Sequence, residues 1–415
     1  MSDTLGKLAT DLGERSLYDA ASQCSRCGYC EQSCPTYKAT GDDKKSPRGR
    51  NQLVRLLLEG KLADKTAAFE ALDTCLLCSG CTTTCYAHVP TADIVLEGRR
   101  LLRGKTPWLA KALSRLLLDY PKLFALLLKT ANAAKRLGLS RLARPALRLA
   151  GLPGLAEADE HIQLAPLSFS HERLGDGGAK PYSYRQFMPC GTRYLFVDVS
   201  LATEKALGRR GGSRPLSSGC CGLLAYNYGE LSDAREFAKC VIRAAEIDDK
   251  PIVVDCSSCA AFLKSYPQLF LDDAEWKAKA AAFAARIRDA VEVLTEPAAW
   301  PAGAATYHNS CRACHGQGVK PAKTFTDSAP GFRPLEAGEE CCGGAGAFSF
   351  LHPELSDELL RKKIGNIARA QATVVATSST SCLIQLAAGL RKYYPSCVVK
   401  HVSEIAAFPD EEAKA

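Results

Sequence analysis

The chain has no long apolar run, although 47% of its 415 residues are hydrophobic. A membrane-spanning helix needs about 20 consecutive apolar residues, and the longest candidate, residues 113–128, is interrupted by Asp119, Pro121 and Lys122. The N-terminus is polar and charged as far as Ser16 and lacks the apolar core of a signal peptide. The sequence therefore predicts no transmembrane span and a cytoplasmic location, either free or peripheral on the cytoplasmic face of a membrane.

Motifs for nucleotide cofactors are missing as well. No G-x-G-x-x-G loop occurs, and no strand is predicted to lead directly into the glycine-rich residues 343–346. The chain shows neither a recognisable flavin loop nor a constellation of acid and base side chains. The sequence therefore gives no indication that this chain itself holds a flavin or nicotinamide cofactor, the groups that carry out such redox chemistry.

Acidic residues are nearly absent from residues 99–150, which we call the basic segment. Thirteen Lys and Arg occur there with Asp119 as the sole acid, a local charge of +12 in a chain of +8. Nucleic acid is one partner of such a stripe. The cations alternate with leucines and Trp108 at helical spacing, which favours an anionic membrane or an acidic partner, and a solvated helix face is the third interpretation. We predict peripheral contact through this segment and no nucleic-acid binding.

Cysteine, by contrast, is abundant, with 20 in the chain. Eight of them form two runs of identical C-x2-C-x2-C-x3-C spacing, 51 residues apart. In two-cluster ferredoxins the first three thiolates of such a run bind one 4Fe–4S cluster and the fourth binds the other. The spacing predicts set A (Cys24, Cys27, Cys30 and Cys85) and set B (Cys75, Cys78, Cys81 and Cys34).

Structural zinc is the alternative occupant of these runs. Zinc usually takes C-x2-C pairs that are separated by a longer spacer, so the tight triplets disfavour it. One departure from the ferredoxin pattern is Tyr86, which stands where the second run would carry the proline that follows Cys34 in the first.

A helix start is predicted between the two runs, at Ser46-Pro47, with the serine as cap and the proline in the first turn. Arg48 and Arg50 lie near this start. Either could supply positive charge to a cluster and shift its potential, and plain surface arginines are an equally good interpretation.

The C-terminal half contains a second duplication. The first copy has Cys190, the pair Cys220-Cys221 before Gly222, and Cys256-x2-Cys259. An offset of 121 residues leads to Cys311 and to Cys341-Cys342 before Gly343, and an offset of 123 leads to Ser379 and Cys382. A constant offset of this kind is typical of two homologous units.

Each copy has the pattern of an α/β unit. Strands are predicted at 252–255 and 373–376, directly before the last cysteines, and helices at 231–247 and 355–372, each opened by a Ser-Asp pair. Alternating strands and helices favour a parallel sheet with ligand groups at the carboxyl ends of the strands. Gly222, Gly343, Gly344 and Gly346 would let the backbone pass close to a bulky cluster.

The predicted fold class is therefore α+α/β. An N-terminal α-helical two-cluster ferredoxin-like domain (residues 1–105) is followed by a basic helical segment and linker (106–184). Two repeated units come next, the first CCG unit (185–299) and the second CCG unit (300–415), each named for its cysteine-cysteine-glycine element. Within the linker, helices at 108–151 are predicted to break at Pro121 and Pro145, and 151–180 is predicted to be a connector.

Together these motifs resemble a known family. The paired runs, the sequence Ser46-Pro47-Arg48-Gly49-Arg50 and the two cysteine-cysteine-glycine elements are similar to those of the iron–sulfur subunit of glycolate oxidase and of related D-lactate dehydrogenases. They are also similar to the cluster-bearing catalytic subunits of heterodisulfide reductases. The resemblance covers residues 20–100 and 185–400 and implies iron–sulfur clusters in the CCG units, which in some family members are of a non-cubane, five-cysteine type.

Two further ligand sets are implied by this resemblance. Set C is complete in the first CCG unit and consists of Cys190, Cys220, Cys221, Cys256 and Cys259. Set D in the second unit consists of Cys311, Cys341, Cys342 and Cys382, because Ser379 replaces the fifth cysteine. Four thiolates suit a cubane, so the clusters of the two units are expected to differ in type.

Five other residues remain outside these sets. His308, Cys314 and His315 flank Cys311, and each histidine is expected to donate a hydrogen bond to a thiolate rather than to bind metal. Cys240 and Cys397 belong to no motif, and both are expected to be buried free thiols.

The resemblance implies an oxidoreductase subunit that transfers electrons within a flavin-linked 2-hydroxy acid dehydrogenase, from an FAD-containing partner to a quinone or another carrier. It would hold two 4Fe–4S clusters in the N-terminal runs and one or two more in the CCG units. The alternative is a catalytic subunit of the heterodisulfide-reductase type, which reduces a disulfide or a quinone at the first CCG site. A zinc-stabilised interaction scaffold is a third hypothesis, disfavoured by the spacing.

Overall fold

The structure, a computed structural model, describes residues 4–102, 108–162, 164–175, 181–295, 300–336 and 338–407. Arg103 and Lys105 of the basic segment lie outside these ranges. No helix in the described part of the chain combines the length and apolarity that crossing a bilayer requires.

The N-terminal region is mainly helical, with one antiparallel hairpin that the sequence did not predict. Its elements are β1 (Lys7–Thr10), β2 (Gly13–Ser16), α1 (Leu17–Ser22), α2 (Pro35–Thr40), α3 (Pro47–Leu58), α4 (Lys65–Asp73), α5 (Gly80–Thr84) and α6 (Thr91–Leu102). Short 3-10 helices occur at Tyr29–Ser33 and Asp43–Lys45. Val54, Leu72 and Ile94 are fully buried where α3, α4 and α6 pack together.

The predicted helix start at Ser46-Pro47 is confirmed. The Ser46 hydroxyl accepts a hydrogen bond from the Gly49 amide at 3.0 Å, and Pro47 is the first residue of α3. The cap satisfies one of the amides that have no partner within a helix.

The basic segment begins in the last turn of α6. The described residues from 108 to 175 contain five further helices: α7 (Trp108–Asp119), α8 (Pro121–Arg136), α9 (Ser140–Leu149), α10 (Pro153–His161) and α11 (Ser170–Leu174). The predicted break at Pro121 is confirmed, since this proline starts α8. The predicted break at Pro145 is wrong, because it lies inside α9. A proline removes one backbone hydrogen bond, and ion pairs from Arg144 and Arg148 hold α9 against α10 on both sides of it.

The predicted connector at 151–180 is also wrong in part, because α10 and α11 lie within it. Its acidic residues Glu157, Asp159 and Glu172 are the partners of basic-segment cations. The composition of this stretch indicated that it is polar. It did not indicate that its acidic residues neutralise the cations of the preceding helices.

The first CCG unit contains a four-stranded, fully parallel sheet in the order β4-β3-β5-β6. Its elements are β3 (Tyr184–Phe187), α12 (Cys190–Tyr194), α13 (Val197–Gly208), β4 (Ser213–Pro215), α14 (Leu223–Asn227), α15 (Leu231–Ala245), β5 (Ile252–Val254), α16 (Ser257–Lys264), α17 (Ala274–Ala285), β6 (Ile287–Asp289) and α18 (Ala290–Val293), with a 3-10 helix at Tyr266–Phe270.

The second CCG unit contains a three-stranded parallel sheet in the order β7-β8-β9. Its elements are β7 (Ala305–Tyr307), α19 (Cys311–Gln317), α20 (Lys323–Asp327), α21 (Phe348–Leu351), α22 (Pro353–Arg369), β8 (Val374–Thr377), α23 (Thr380–Tyr393), β9 (Val398–His401) and α24 (Val402–Ala407). The predicted strands and helices are thus found within a few residues, and the parallel sheets agree with the α/β prediction.

The two units match in register as well as in order. Phe187 at the end of β3 pairs with Val254, two residues before Cys256. In the second unit Tyr307 pairs with Ala376, so the next residue, His308, lies level with Thr377, two residues before Ser379. His308 therefore occupies the backbone position that Phe187 occupies in the first unit.

The Ser-Asp pairs that were predicted to open the long helices lie inside their first turns and do not cap them. Asp233 binds Arg115 of α7 at 2.7 Å, and the Ser356 hydroxyl donates to the Gly343 carbonyl at 2.9 Å. Both side chains join α15 or α22 to neighbouring segments, which a helix-start pattern cannot reveal.

Candidate metal centres

The predicted set A is assembled where α1, a 3-10 turn and α5 meet. Burial and the nearby thiols of Cys24, Cys85 and Cys27 raise the pKa of Cys30 to about 11. Cys27 is exposed, whereas the other three are partly buried. The fourth member therefore comes from the other run, as the ferredoxin spacing predicts.

The predicted set B lines a single cavity. Cys34, Cys75, Cys78 and Cys81 all contribute to its wall, together with Arg50. Burial and the neighbouring thiols of Cys75, Cys34 and Cys30 hold the pKa of Cys81 above its usual range. Crowded thiols of this kind ionise readily only beside a cation, and a bound metal deprotonates them outright.

Arg50 is the cation of this cavity. Its guanidinium is 1% exposed and donates to the Ala71 carbonyl at 2.9 Å, to the Thr36 hydroxyl at 3.1 Å and to the Thr74 hydroxyl at 3.2 Å. One N–H group also points to Cys34 Sγ at 3.8 Å. Of the two interpretations that the sequence left open, this buried position next to Cys34 favours the one in which Arg50 supplies positive charge to a cluster.

Arg48 has a different environment. Its Nε lies 2.6 Å from a Glu31 carboxylate oxygen and 3.2 Å from an Asp43 oxygen, and its side chain is 36% exposed. A hydrogen bond from the Tyr29 amide is the main cause that lowers the pKa of Cys27 in set A, and the charge of Arg48 adds to it. Arg48 therefore lies at the surface and also close enough to set A to act on one of its thiols.

Set C lies at the carboxyl ends of β3 and β5, in agreement with the rule for parallel sheets. The Cys221 thiol donates to Cys259 Sγ at 3.2 Å, and Cys190 is hydrogen-bonded to Cys220. Hydrogen bonds from Cys259 and from Thr380 of the second unit lower the pKa of Cys256 to about 5. All five sulfurs of the implied set are therefore brought together.

Glycine is required next to the paired cysteines. Gly222 has a φ of +80°, and a Cβ there would lie 2.7 Å from the Phe237 Cβ. Gly343 has a φ of +85°, and a Cβ there would lie 2.9 Å from the Ser356 carbonyl oxygen. Each CCG turn is therefore pressed against the helix that follows it, α15 or α22, which fixes the direction of the cysteine side chains.

Set D forms a continuous row of sulfurs. Cys311 contacts Cys341, Cys341 contacts Cys342, and Cys342 contacts Cys382 by hydrogen bonds. The hydrogen bond to Cys341, together with burial, holds the pKa of Cys311 well above its usual range. The four implied thiols thus lie together in the second unit.

Ser379, which replaces the fifth cysteine, faces the first unit. Its hydroxyl lies 2.7 Å from the Ser258 hydroxyl and 3.7 Å from Cys256 Sγ. The Thr380 hydroxyl lies 3.4 Å from the same sulfur. This loop of the second unit therefore contributes polar contacts to set C.

The histidines near Cys311 differ from each other. His308 is fully buried, and one ring nitrogen lies with Cys342 Sγ and Cys382 Sγ in a group whose atoms are all within 4.8 Å of one another. His315 lies against α5, with Nδ1 2.9 Å from the Thr83 hydroxyl. Cys314 and His315 form a second, less buried group with Glu339.

The donor sets adjoin one another. Burial and the thiols of Cys311, Cys81 and Cys75 raise the pKa of Cys78, and Cys78 is also a neighbour of Cys341. Set B therefore adjoins set D, while the proximity of Cys30 to Cys81 joins set A to set B.

One functional candidate was missed by the sequence reasoning. Lys363 is 2% exposed and lies beside Cys342 and Cys341. Burial lowers its pKa, while the neighbouring thiols oppose that shift. The available signal was its place on the apolar face of α22, between Leu359 and Ile367, where a solvated lysine is not expected.

The two cysteines outside the motifs behave differently. Cys397 is 3% exposed, which confirms the expected buried thiol. Cys240 is exposed, so the prediction for it is wrong. It lies one helical turn after the exposed Glu236 on α15, and the helical repeat directs it to solvent.

Much of the charge of the basic segment is neutralised within the chain. The ion pairs include Lys111–Glu230 at 3.3 Å, Arg115–Asp233 at 2.7 Å, Lys129–Glu172 at 2.7 Å, Lys135–Asp159 at 3.2 Å, Arg144–Asp159 at 2.6 Å and Arg148–Glu157 at 3.0 Å. Among the described residues, the exposed Lys122 and Arg141 have no such partner. Lys122 lies on α8 together with the exposed Leu126, and Arg141 lies on α9 together with the exposed Leu142 and Leu149.

Known proteins match both halves of the chain. The 4Fe-4S dicluster domain matches residues 20–89, and the cysteine-rich domain matches residues 184–264 and 305–387. The probable glycolate oxidase iron-sulfur subunit of Bacillus subtilis is 28% identical over 398 residues, which is 89% of each chain. The glycolate oxidase iron-sulfur subunit of Escherichia coli is 29% identical over 390 residues, which is 89% of this chain and 90% of that protein.

Lactate utilization protein A of Geobacillus kaustophilus is 32% identical over 230 residues, which is 53% of this chain and 96% of that protein. The domains matched by these comparisons are those that contain sets A to D. Iron–sulfur clusters are therefore indicated in both halves of the chain.

Proposed function

We propose a function from one premise: the chain belongs to the family of iron–sulfur proteins that includes the glycolate oxidase iron–sulfur subunit and lactate utilization protein A. It is an oxidoreductase subunit, and its role is to transfer electrons within a flavin-linked dehydrogenase of 2-hydroxy acids of the glycolate or D-lactate type. An FAD-containing partner oxidises the substrate, and a quinone or another carrier receives the electrons. Bound iron–sulfur clusters would supply the one-electron chemistry.

The observation that carries this proposal is the continuity of the donor sets. Set A reaches the surface at the exposed Cys27, set B adjoins it, and set D adjoins set B through Cys78. Metal sites that only stabilise a fold do not need to adjoin one another, whereas electron transfer requires neighbouring sites that lead from the surface into the interior. Sets A and B are proposed to hold one 4Fe–4S cluster each, set C a non-cubane cluster and set D a further iron centre.

Individual side chains tune these sites. Arg50 places a positive charge next to Cys34, and Lys363 places its amino group next to set D, where burial lowers its pKa and the neighbouring thiolates favour its charged form. A positive charge at either place would stabilise an additional electron on the adjacent centre. The hydroxyl of Thr380, 3.4 Å from Cys256 Sγ, would stabilise negative charge on that sulfur more weakly.

The exposed face of α8 and α9 is proposed as the contact with the partner flavoprotein or with the cytoplasmic face of a membrane. Lys122 and Arg141 supply unneutralised charge there, and Leu126 and Leu142 supply apolar area. Charge accelerates the encounter and the leucines add contact after docking, so the association should depend only partly on salt.

The proposal is tested on the full chain, purified anaerobically from cells that express it with its chromosomal neighbours intact. Co-purifying proteins are identified, and iron, sulfide and flavin are measured. We expect a flavoprotein in the complex and the appearance of reduced-cluster electron paramagnetic resonance signals after addition of glycolate or D-lactate. Oxidation of hydroxy acid by the flavoprotein with no reduction of this chain would contradict the proposal.

The alternative function, reduction of a disulfide or a quinone at set C, is kept because all five thiols are present there. Cys220, Cys221, Cys256 and Cys259 are buried, so a substrate would need an opening that the described residues do not show. Turnover of a disulfide by the isolated chain with an artificial electron donor would favour this alternative.

A further inference from the structure

The two CCG units differ at two corresponding positions. The first unit has Phe187 and Cys256, and the second has His308 and Ser379 at the same places in the strand register. The second unit has thus lost a sulfur donor at one position and gained a nitrogen donor at the other. If His308 is counted with set D, each unit has five candidate donors at corresponding places.

The hydroxyl of Ser379 does not replace the missing thiolate. It hydrogen-bonds to Ser258 and lies beside Cys256, both in the first unit. The Ser379 hydroxyl is therefore engaged with the first unit, and a fifth donor of set D would lie on another element.

His308 has the properties of that donor. Its side chain is fully buried, and neither ring nitrogen has a hydrogen-bond partner among the described residues. A buried polar group without a partner costs about 1–3 kcal/mol, so a native structure seldom retains one without a ligand or an ordered water. A ring nitrogen of His308, Cys342 Sγ and Cys382 Sγ all lie within 4.8 Å of one another.

This spacing is close to what metal binding requires. Bonds of about 2.0–2.1 Å to nitrogen and about 2.3 Å to sulfur, at tetrahedral angles, place two donors about 3.6–3.8 Å apart. Since the three atoms lie within 4.8 Å of one another, movements of about 1 Å or less would place them around one metal ion. The remaining thiols of set D, Cys311 and Cys341, continue the row on the side of set B.

We propose that His308 is the fifth ligand of the second CCG unit and that it binds, through a ring nitrogen, an iron of the centre held by Cys342 and Cys382. The inference rests on the proposed function for the identity of the metal. It makes the two units distinct in ligand chemistry: five sulfurs in the first, four sulfurs and one nitrogen in the second. It also replaces the earlier expectation that His308 only donates a hydrogen bond to a thiolate.

The test measures nitrogen bound to iron in the full, anaerobically purified chain. The protein is prepared with natural and with 15N-labelled histidine, and pulsed electron paramagnetic resonance of the reduced protein records the hyperfine coupling. We expect a strong histidine nitrogen coupling that changes with the isotope, is retained in His315→Gln and is lost in His308→Cys. His315 is the matched control because it also neighbours Cys311 but is hydrogen-bonded to Thr83.

Iron content gives a second measurement. His308→Phe, which places the first unit's residue at this position, should lose about one centre's iron, whereas His308→Cys should retain it because a thiolate can also bind iron. Wild-type protein without a strong histidine coupling, or a His308→Phe variant with unchanged iron and spectrum, would overturn the inference.

Iron analysis of a second variant, Cys382→Ser, distinguishes failure of the proposed function from failure of the assignment of His308. If Cys382→Ser leaves the iron content unchanged, the second unit holds no iron centre and the proposed electron-transfer role of set D falls. If Cys382→Ser loses iron but the wild type shows only a weak nitrogen coupling, the centre exists and the assignment of His308 alone is wrong.

Discussion

Replacing Arg50 with methionine should change both the stability of the N-terminal region and the potential of the centre at set B. Methionine keeps most of the side-chain volume and removes the charge and all donors. The hydroxyl oxygens of Thr36 and Thr74 lose a donor in a buried environment, whereas the Ala71 carbonyl keeps the Thr74 hydroxyl as a donor at 3.0 Å. Each unsatisfied buried acceptor costs about 1–3 kcal/mol, so we expect the free energy of unfolding to fall by about 2 kcal/mol or more.

The change in potential follows from the charge. A unit charge 3.8 Å from Cys34 Sγ interacts with a unit negative charge by about 4 kcal/mol at an effective dielectric constant of about 20. For a one-electron couple, about 1.4 kcal/mol corresponds to about 59 mV. Because solvent and neighbouring groups compensate part of the loss, we expect the potential to fall by about 100 mV.

Arg50→Lys is the control that separates the two effects. Lysine keeps the charge but cannot supply the fork of donors that reaches three oxygens, so it should lose stability and retain most of the potential. The assays are a potentiometric titration followed by electron paramagnetic resonance and denaturant unfolding under anaerobic conditions. Equal potential shifts in the methionine and lysine variants would refute the electrostatic argument.

Three further predictions concern other parts of the chain. Cys27→Ser should lose about one cluster's iron while Cys240→Ser, the exposed cysteine outside every set, loses none; equal iron and sulfide in both would contradict set A. Gly222→Ala should lower the free energy of unfolding by about 2–4 kcal/mol, from left-handed strain and overlap with α15. Gly208→Ala, which meets no atom within 4 Å, should be neutral or stabilising in the same denaturation assay, and similar losses would refute the steric account. Leu142→Glu should weaken co-sedimentation with anionic vesicles or with the flavoprotein at low salt, and it should not change the iron content. If association is unchanged in both assays, α9 is not a docking surface and its exposed face is simply solvated.

The ligand grouping of the N-terminal runs could be anticipated because it depends on local spacing. Three thiols within seven residues are predicted to lie on one side of a cluster site, and the identical second run to provide the fourth thiol. The structure accordingly brings Cys85 to Cys30 and Cys34 to Cys81. The parallel sheets of the CCG units were also predictable, since apolar strands alternate with amphipathic helices at a constant offset.

What sequence reasoning missed depends on side-chain direction and on contacts between distant segments. The acid residues of 151–175 pair with helices that precede them, and Ser356 reaches Gly343 rather than capping α22. Neither contact has a short-range signature. The exposed Cys240 shows the same limit, because its orientation follows from which face of α15 is buried in the fold.

The difference between the two CCG units has a physical explanation in their mutual packing. The Ser378 carbonyl accepts from the Ser257 amide at 2.8 Å, which joins the cysteine loops of the two units directly. Cys256 lies at this junction and receives the hydroxyl of Thr380 at 3.4 Å. A second cysteine at Ser379 would place two thiolates against each other there, with repulsion between like charges in a buried environment. A serine at this position supports set C, and a donor on the adjacent strand end, at His308, can then complete set D without competing for the same space.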